Sequence, residues 1–408
     1  MNPEVYVGLL EQAESIVSLS DVEAEYLENL RFYVVPSAVQ DEGMRSFIVN
    51  PLQYVGHFRL PSGRFVTIRP KVPTASVLRM LAYVYLRWNY PLFHADEVNY
   101  SAESFLFEPL VRLFNDLVAS RAERGLLQDY IRHEENRPVL RGRLLFREHI
   151  QQNTGNPNRA FCRSFENTVD IPDNQMVKQT LHVLISARGW TRQTSDALRA
   201  NLHQFEGVSL VPLRTLHFGA HHYHRLNQDY LPIHELCALF LATTSISEKP
   251  GQLPFKGFLL DMNVLFEKFV ERAFIVVGRD FAVSIQPQRS ERLSDGEYVP
   301  MIQPDIIVTL GGIVVAIVDA KYKRDAFGPA NSDLFQVVTY GTALRCTDTY
   351  LFYPETELCV DRRIPIRNSP IVVNTSRVGV SGPDCVLSAE RSARLVIKQS
   401  IDTLFTAT

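Results

Sequence analysis

No stretch of the 408 residues is apolar for long enough to cross a bilayer, and no signal-peptide pattern is present. No membrane association is therefore expected, and the cytoplasm is the expected compartment. The five cysteines (Cys162, Cys237, Cys346, Cys359, Cys385) are scattered, without a Cys-x-x-Cys pair or zinc-ligand spacing. That argues against a disulfide framework or a zinc ribbon and for reduced, buried thiols. A net charge of −3 argues against coating DNA through global charge, although it leaves room for a local basic track. No Gly-x-x-x-x-Gly-Lys-Ser/Thr loop occurs, so no nucleotide is expected on this chain and nucleotide-driven work must come from a partner. What remains is a globular composition, 46% hydrophobic and 21% charged, at a length that suits two or three domains.

The stretch from Gln303 to Lys321 concentrates the chemistry. Two β-branched apolar runs flank Gly311-Gly312 and read as a hairpin. Their ends carry Asp305, Asp319 and Lys321, charges that are costly on buried strands unless paired or bound to a metal. Two carboxylates can hold Mg²⁺, a hard cation that prefers oxygen. A lysine beside them can position or deprotonate an attacking water and balance phosphate charge. The competing reading is an ordinary surface ion pair. Register discriminates between them. A strict two-residue turn at Gly311-Gly312 pairs Asp305 with Val318 and sends the two carboxylates to opposite faces. A shared site therefore requires a three-residue loop or a bulge.

Along the chain, residues 1–90 read as a β-rich module. Residues 4–18 are expected to form a short helix, followed by strand-like runs at 30–35, 45–49, 54–60 and 65–68 and an apolar helix from Val77 to Arg87. Such a module suits a docking surface and carries no catalytic constellation. Residues 91–250 read as mainly helical. Between Ile131 and Arg163 lie seven arginines against three acids, which fits phosphate forks or partner contacts as well as a solvated loop. Within it, Arg137, Arg141 and Arg143 are candidate contacts to DNA or a partner. His217, His221, His222 and His224 lack carboxylate or cysteine company and read as polar surface. Residues 245–257 read as a hinge. The last domain opens with Met262, Leu265, Phe266, Phe269, Val270, Ala273 and Phe274 at helical spacing. Glu267 borders that stripe, either solvated or serving as a third carboxylate for a metal. A further helix from Asp333, capped by Asn331 and Ser332, places Gln336 and Tyr340 on one face.

Glu267, Pro304-Asp305, Asp319-Ala320-Lys321 and Gln336-Val-Val-Thr-Tyr340, in this order, resemble the RecB-like branch of the PD-(D/E)xK nucleases. Leu140-Arg-Gly-Arg-Leu144, Asp170-Ile-Pro-Asp-Asn174, the run from Leu260 to Phe269 and Val318-Asp-Ala-Lys-Tyr-Lys323 resemble more specifically the McrC family, nuclease subunits of McrBC-type modification-dependent restriction systems. The resemblance spans residues 70–355 and is strongest from 255 onward. One departure is Asn174-Gln175-Met176, where the family has Asn followed by a basic residue and leucine.

The resemblance implies an α/β (α+β) protein. A partner-docking module would occupy 1–90, a mainly helical region 91–250, and a nuclease domain with a mixed central sheet flanked by helices 251–408. It implies a Mg²⁺- or Mn²⁺-dependent endodeoxyribonuclease acting on 5-methylcytosine-type modified double-stranded DNA. Asp305, Asp319, Glu267 and the Ala320 carbonyl would hold the metal, Lys321 would act on the water, and Gln336 and Tyr340 would position substrate. It also implies docking to, and stimulation of, a hexameric McrB-type AAA+ GTPase. Two rivals are a non-catalytic GTPase-activating adaptor on a nuclease-like scaffold and a free-standing repair nuclease.

Overall fold

The computed structural model describes residues 6–41, 44–86, 107–156, 158–187, 190–211, 223–225, 227–244, 257–294, 299–323, 328–355 and 361–406. The chain divides into two compact units, one built from 1–106 together with 259–408 and the other from 107–258. Sequence reading separates 1–90 from 251–408; in the structure they share one unit.

The first unit begins with β1 (Tyr6–Leu10), β2 (Ser15–Leu19), α1 (Asp21–Asn29), β3 (Tyr33–Asp41), β4 (Met44–Asn50), β5 (Tyr54–Arg59), β6 (Phe65–Arg69) and α2 (Thr74–Tyr85). Of residues 4–18, expected as a helix, those described form instead β1 and most of β2 around a turn. The cause is non-local: β1 runs parallel to β6 and β2 antiparallel to β4, and both pairings bury apolar side chains such as Val7, Leu9 and Leu19. The helix lies one element later. Ser20 caps α1 in a reciprocal box with Glu23, whose buried carboxylate also receives Arg64 at 2.7 Å.

The second unit holds α3 (Glu108–Glu123), β7 (Asp129–Arg137), β8 (Arg143–Leu144), α4 (Phe146–Asn153), β9 (Ala160–Thr168), α5 (Pro172–Ala187), α6 (Arg192–His203) and α7 (Tyr230–Thr244). Its helices dominate, as expected, but the arginine-rich stretch is ordered as a three-stranded sheet, β7-β9-β8, with α4 against β9. Gly142 of the Arg-Gly-Arg phrase has φ +77°, and a Cβ there would lie 2.2 Å from the Arg163 carbonyl oxygen. Only glycine lets that loop lie so close to β9.

The chain continues through β10 (Gly257–Asp261), α8 (Met262–Gly278), β11 (Ser284–Pro287), β12 (Glu291–Arg292), β13 (Met301–Ile302), β14 (Ile306–Leu310), β15 (Ile313–Ala320), α9 (Asn331–Leu344), β16 (Asp348–Pro354), β17 (Arg363–Pro365), β18 (Val372–Val378) and α10 (Cys385–Thr406). A six-stranded mixed sheet in the order β11-β14-β15-β16-β18-β17 is the centre of the first unit. Alternate residues of β16 face opposite layers. Leu351 and Tyr353 pack beneath Val337 of α9, while Phe352 meets Phe274 of α8 and Tyr350 reaches Ser400 of α10. The apolar stripe of α8 is fully buried, as its spacing demands. α2 packs on α8 and α10: Tyr83 sits edge-on to Phe269, its hydroxyl donates to Glu390 at 2.8 Å, and Arg79 donates to the Gly382 carbonyl at 3.0 Å. These contacts are why the N-terminal residues belong to the same unit as the large sheet.

Cys162, Cys237, Cys346 and Cys385 are free and buried. No helix among the described residues is long and apolar enough to cross a membrane. The hinge at 245–256, His217, His221, His222 and Cys359 lie outside the described residues.

Candidate active site

The hairpin of β14 and β15 turns through Gly311 and Gly312, both at positive φ (58° and 88°), with Leu310 opposite Ile313. Thr309 pairs with Val314, but Val308 pairs with Ala316, so Val315 is an extra residue in the ladder. This is the bulge the shared face requires. Beyond it Ile306 lies opposite Val318, which places Asp305 opposite Asp319 on the face that α9 covers through Ile317 and Tyr340.

Asp305 is anchored by the Ala320 N–H, which donates to its Oδ2 at 2.8 Å. Asp319 is 1% exposed, and Lys321 Nζ lies 2.7 Å from its Oδ2 without forming a hydrogen bond of good geometry. Glu267 reaches the site from the border of the α8 stripe. Gln288 Nε2 donates both to Glu267 Oε1 and, at 3.3 Å, to Asp305 Oδ1. On α9, Gln336 donates to the Tyr340 hydroxyl at 2.7 Å, and that hydroxyl donates to the Gln303 carbonyl at 3.4 Å. The helix begins at Asn331 with Ala330 in the cap position and no side-chain cap bond, so Asn331 and Ser332 form its exposed first turn and do not cap it.

Electrostatics single out the same groups. Burial, then the neighbouring Glu267 charge, pushes Asp305 up to about 6. Burial and the charge of Asp305 push Asp319 up to about 6. Burial also raises Glu267. For Lys321, burial opposes the charge, but Asp319, Asp305 and Asp333 outweigh it and raise the pKa. Lys321 is therefore an ammonium that donates and balances charge, and the alternative in which it deprotonates water is not what this environment favours.

Glu267, Asp305, Ala320 and Lys321 line a cleft of about 510 Å³ with Gln12, Asn50, Leu52, Gln53, Asn263, Tyr322 and Lys323. The donor set fits a hard divalent cation: crowded carboxylates at raised pKa and a buried carboxylate oxygen lacking a well-formed hydrogen bond. Among the described residues no three His, Cys, Asp or Glu side chains stand as a ready-made metal cage.

The family model for the McrBC 5-methylcytosine restriction system component matches residues 49–354. The chain belongs to that family. It is also similar to a chain of the refined half-complex from a tetradecameric assembly of Thermococcus gammatolerans McrB AAA+ hexamers with bound McrC. The TM-score there is 0.61 at 19% identity, covering 97% of this chain and 100% of that one, which shows a common fold. A chain of the cryo-EM structure of the Thermococcus gammatolerans McrBC complex covers 67% of this chain and is covered to 88%, at 21% identity and TM-score 0.44. No curated protein matches the chain.

In this McrBC component, Glu267, Asp305, Asp319, Ala320, Lys321, Gln336 and Tyr340 gather in one unit. Arg137, Arg141 and Arg143 belong to the other unit, in and beside its small sheet, where Arg137 pairs with Glu135 at 2.5 Å. Sequence reading missed three groups. Asp333, 5% exposed, accepts from Tyr353 at 2.9 Å and holds Lys323 at 2.6 Å, adding a second acid–lysine pair near Lys321. Lys323 lies within the family phrase ending at that residue, a signal that was available. Gln288 and Gln303 carry no local signal, because their partners are distant in sequence.

Proposed function

We propose that this chain is the nuclease subunit of a McrBC-type system and hydrolyses phosphodiester bonds in modified double-stranded DNA with Mg²⁺ or Mn²⁺. The observation that carries the reading is the Val315 bulge, which sets Asp305 opposite the buried Asp319 and beside Lys321, with Asp305 and Lys321 lining an open cleft. A cation there would be held by Asp305 and Asp319, with the Ala320 carbonyl and Glu267 completing the oxygen set. When bound, it supplies positive charge against the phosphate and makes water a better nucleophile. Lys321 orients the attacking water and stabilises the charge that grows on the phosphate oxygens as the new P–O bond forms and the old one breaks. The Gln336–Tyr340 pair fixes the loop at Gln303 and so the approach of Asp305.

The chain also binds and stimulates an McrB-type AAA+ GTPase hexamer. Family membership and the likeness to a chain from McrB hexamers with bound McrC support this. Asp305→Ala, Asp319→Ala and Lys321→Ala should each abolish cleavage of methylated DNA with GTP and partner, while leaving stimulated GTP hydrolysis intact. Full cutting by the Asp319→Ala protein rules the assignment out. Stimulation by a wild-type chain that never cuts would instead make it an adaptor.

A further inference from the structure

Gln288 is absent from every motif that marks the nuclease, yet it holds two of its carboxylates. It follows β11 in left-handed backbone, φ 50°, where a residue with a Cβ is strained by roughly 1–2 kcal/mol. Main-chain bonds hold it there: its N–H donates to the Asp305 carbonyl at 2.9 Å, and its own carbonyl accepts from Gln303 Nε2 at 3.0 Å. The Gln303 carbonyl in turn accepts from the Tyr340 hydroxyl, which accepts from Gln336, so the α9 pair and the carboxylates are joined through Gln303 and Gln288. The side-chain amide then spends its two hydrogens on two acids from different elements, Glu267 on α8 and Asp305 ahead of β14. A cation held by these two acids would compete with this neutral donor for their oxygens.

We propose that the Gln288 amide is a stand-in for the divalent ion. In the ion-free site its amide adds a donor to Glu267 and Asp305, which also meet each other in a side-chain hydrogen bond, and it yields that place when the ion enters. The proposal rests on the metal-dependent nuclease reading. A neutral amide suits the task, because it lowers repulsion without the full charge by which a lysine would shut the ion out. Such a contact stabilises the ion-free state alone, so its loss must tighten ion binding.

The test uses the full-length protein with Gln288→Asn. Asparagine tolerates left-handed backbone and keeps both main-chain bonds, but its amide is one methylene too short to bridge. Calorimetric titration with Mn²⁺ should give a Kd about tenfold tighter than wild type, the factor associated with losing hydrogen bonds to charged groups. The ion-free Tm should be lower and its rise on adding Mn²⁺ larger. Gln288→Glu, which replaces the donor with another acid, should lower the ion-free Tm further and recover it with Mn²⁺. Unchanged or weaker Mn²⁺ binding by Gln288→Asn, with wild type binding normally, overturns this proposal alone. A Gln288→Glu protein as stable as wild type in chelator also overturns it. A wild-type chain that takes no Mn²⁺ removes the nuclease reading and this proposal with it.

Discussion

His57 and the site carboxylates pull acid stability in opposite directions over one pH range. Burial lowers His57 to about 4, and it stays neutral against Thr67 Oγ1 at 3.1 Å. The unfolded chain protonates it first, so its contribution is whole above about 6.5 and is lost as pH falls toward 4. Asp305 and Asp319 are raised to about 6, so the folded state holds their protons more tightly than the unfolded one. Their contribution is whole below about 4 and is lost as pH rises through 6. In chelator, stability should therefore fall from pH 4 to 6.5. His57→Asn should steepen that fall by on the order of 3 kcal/mol, and Asp319→Asn should flatten it. Guanidinium unfolding at several pH values checks both signs. Tyr340→Phe removes the hydroxyl between Gln336 and Gln303. It should cost about 1 kcal/mol of stability, with a larger proportional loss of cleavage because the Gln303 loop leads directly into Asp305. The acids and lysine were legible because charge at the end of an apolar strand is conspicuous. Gln288 was not, since its importance lies in contacts with residues 267 and 305.

At the scale of elements, the hairpin makes the sharpest prediction. Inserting one glycine between Ala316 and Ile317 shifts every residue from Ile317 to Lys321 by one position and turns it to the opposite face, so cleavage and Mn²⁺ binding should vanish. Deleting Val315, by contrast, removes only the extra residue and leaves Ala316 opposite Val308 and Asp319 opposite Asp305, so both should survive. A deletion variant that folds, by circular dichroism, but binds no Mn²⁺ would show that register is not what assembles the site. Helix α8 was readable from its stripe because one helix face buried against one sheet obeys a single period. β1 and β2 were not, because their pairing partners β6 and β4 lie tens of residues away and the local pattern is ambiguous. The arginine-rich strands misled for another reason: their charges sit at exposed or half-buried positions of a small sheet, where local composition resembles a loop.

For the whole molecule, the grouping of 1–106 with 259–408 governs how function can be dissected. Val77, Leu78, Met80 and Leu81 of α2 are fully buried, each contributing roughly 2 kcal/mol, together comparable to the net stability of a domain. A chain lacking residues 1–90 should therefore be insoluble or melt far below the full-length protein, as thermal unfolding would show. The proposed docking on a GTPase is better probed by surface substitutions in the N-terminal strands than by truncation. The amino-acid order by itself determined the apolar stripe of α8, the strand-turn-strand at Gly311-Gly312, the acids and amine of the site and the family, because each depends on residues close together or on their order along the chain. Tertiary structure alone decided that the first hundred residues join the unit that holds the candidate site, that Val315 bulges, and that Gln288 meets two carboxylates. Those outcomes depend on side chains far apart in sequence competing for the same buried space, and no local pattern encodes that competition.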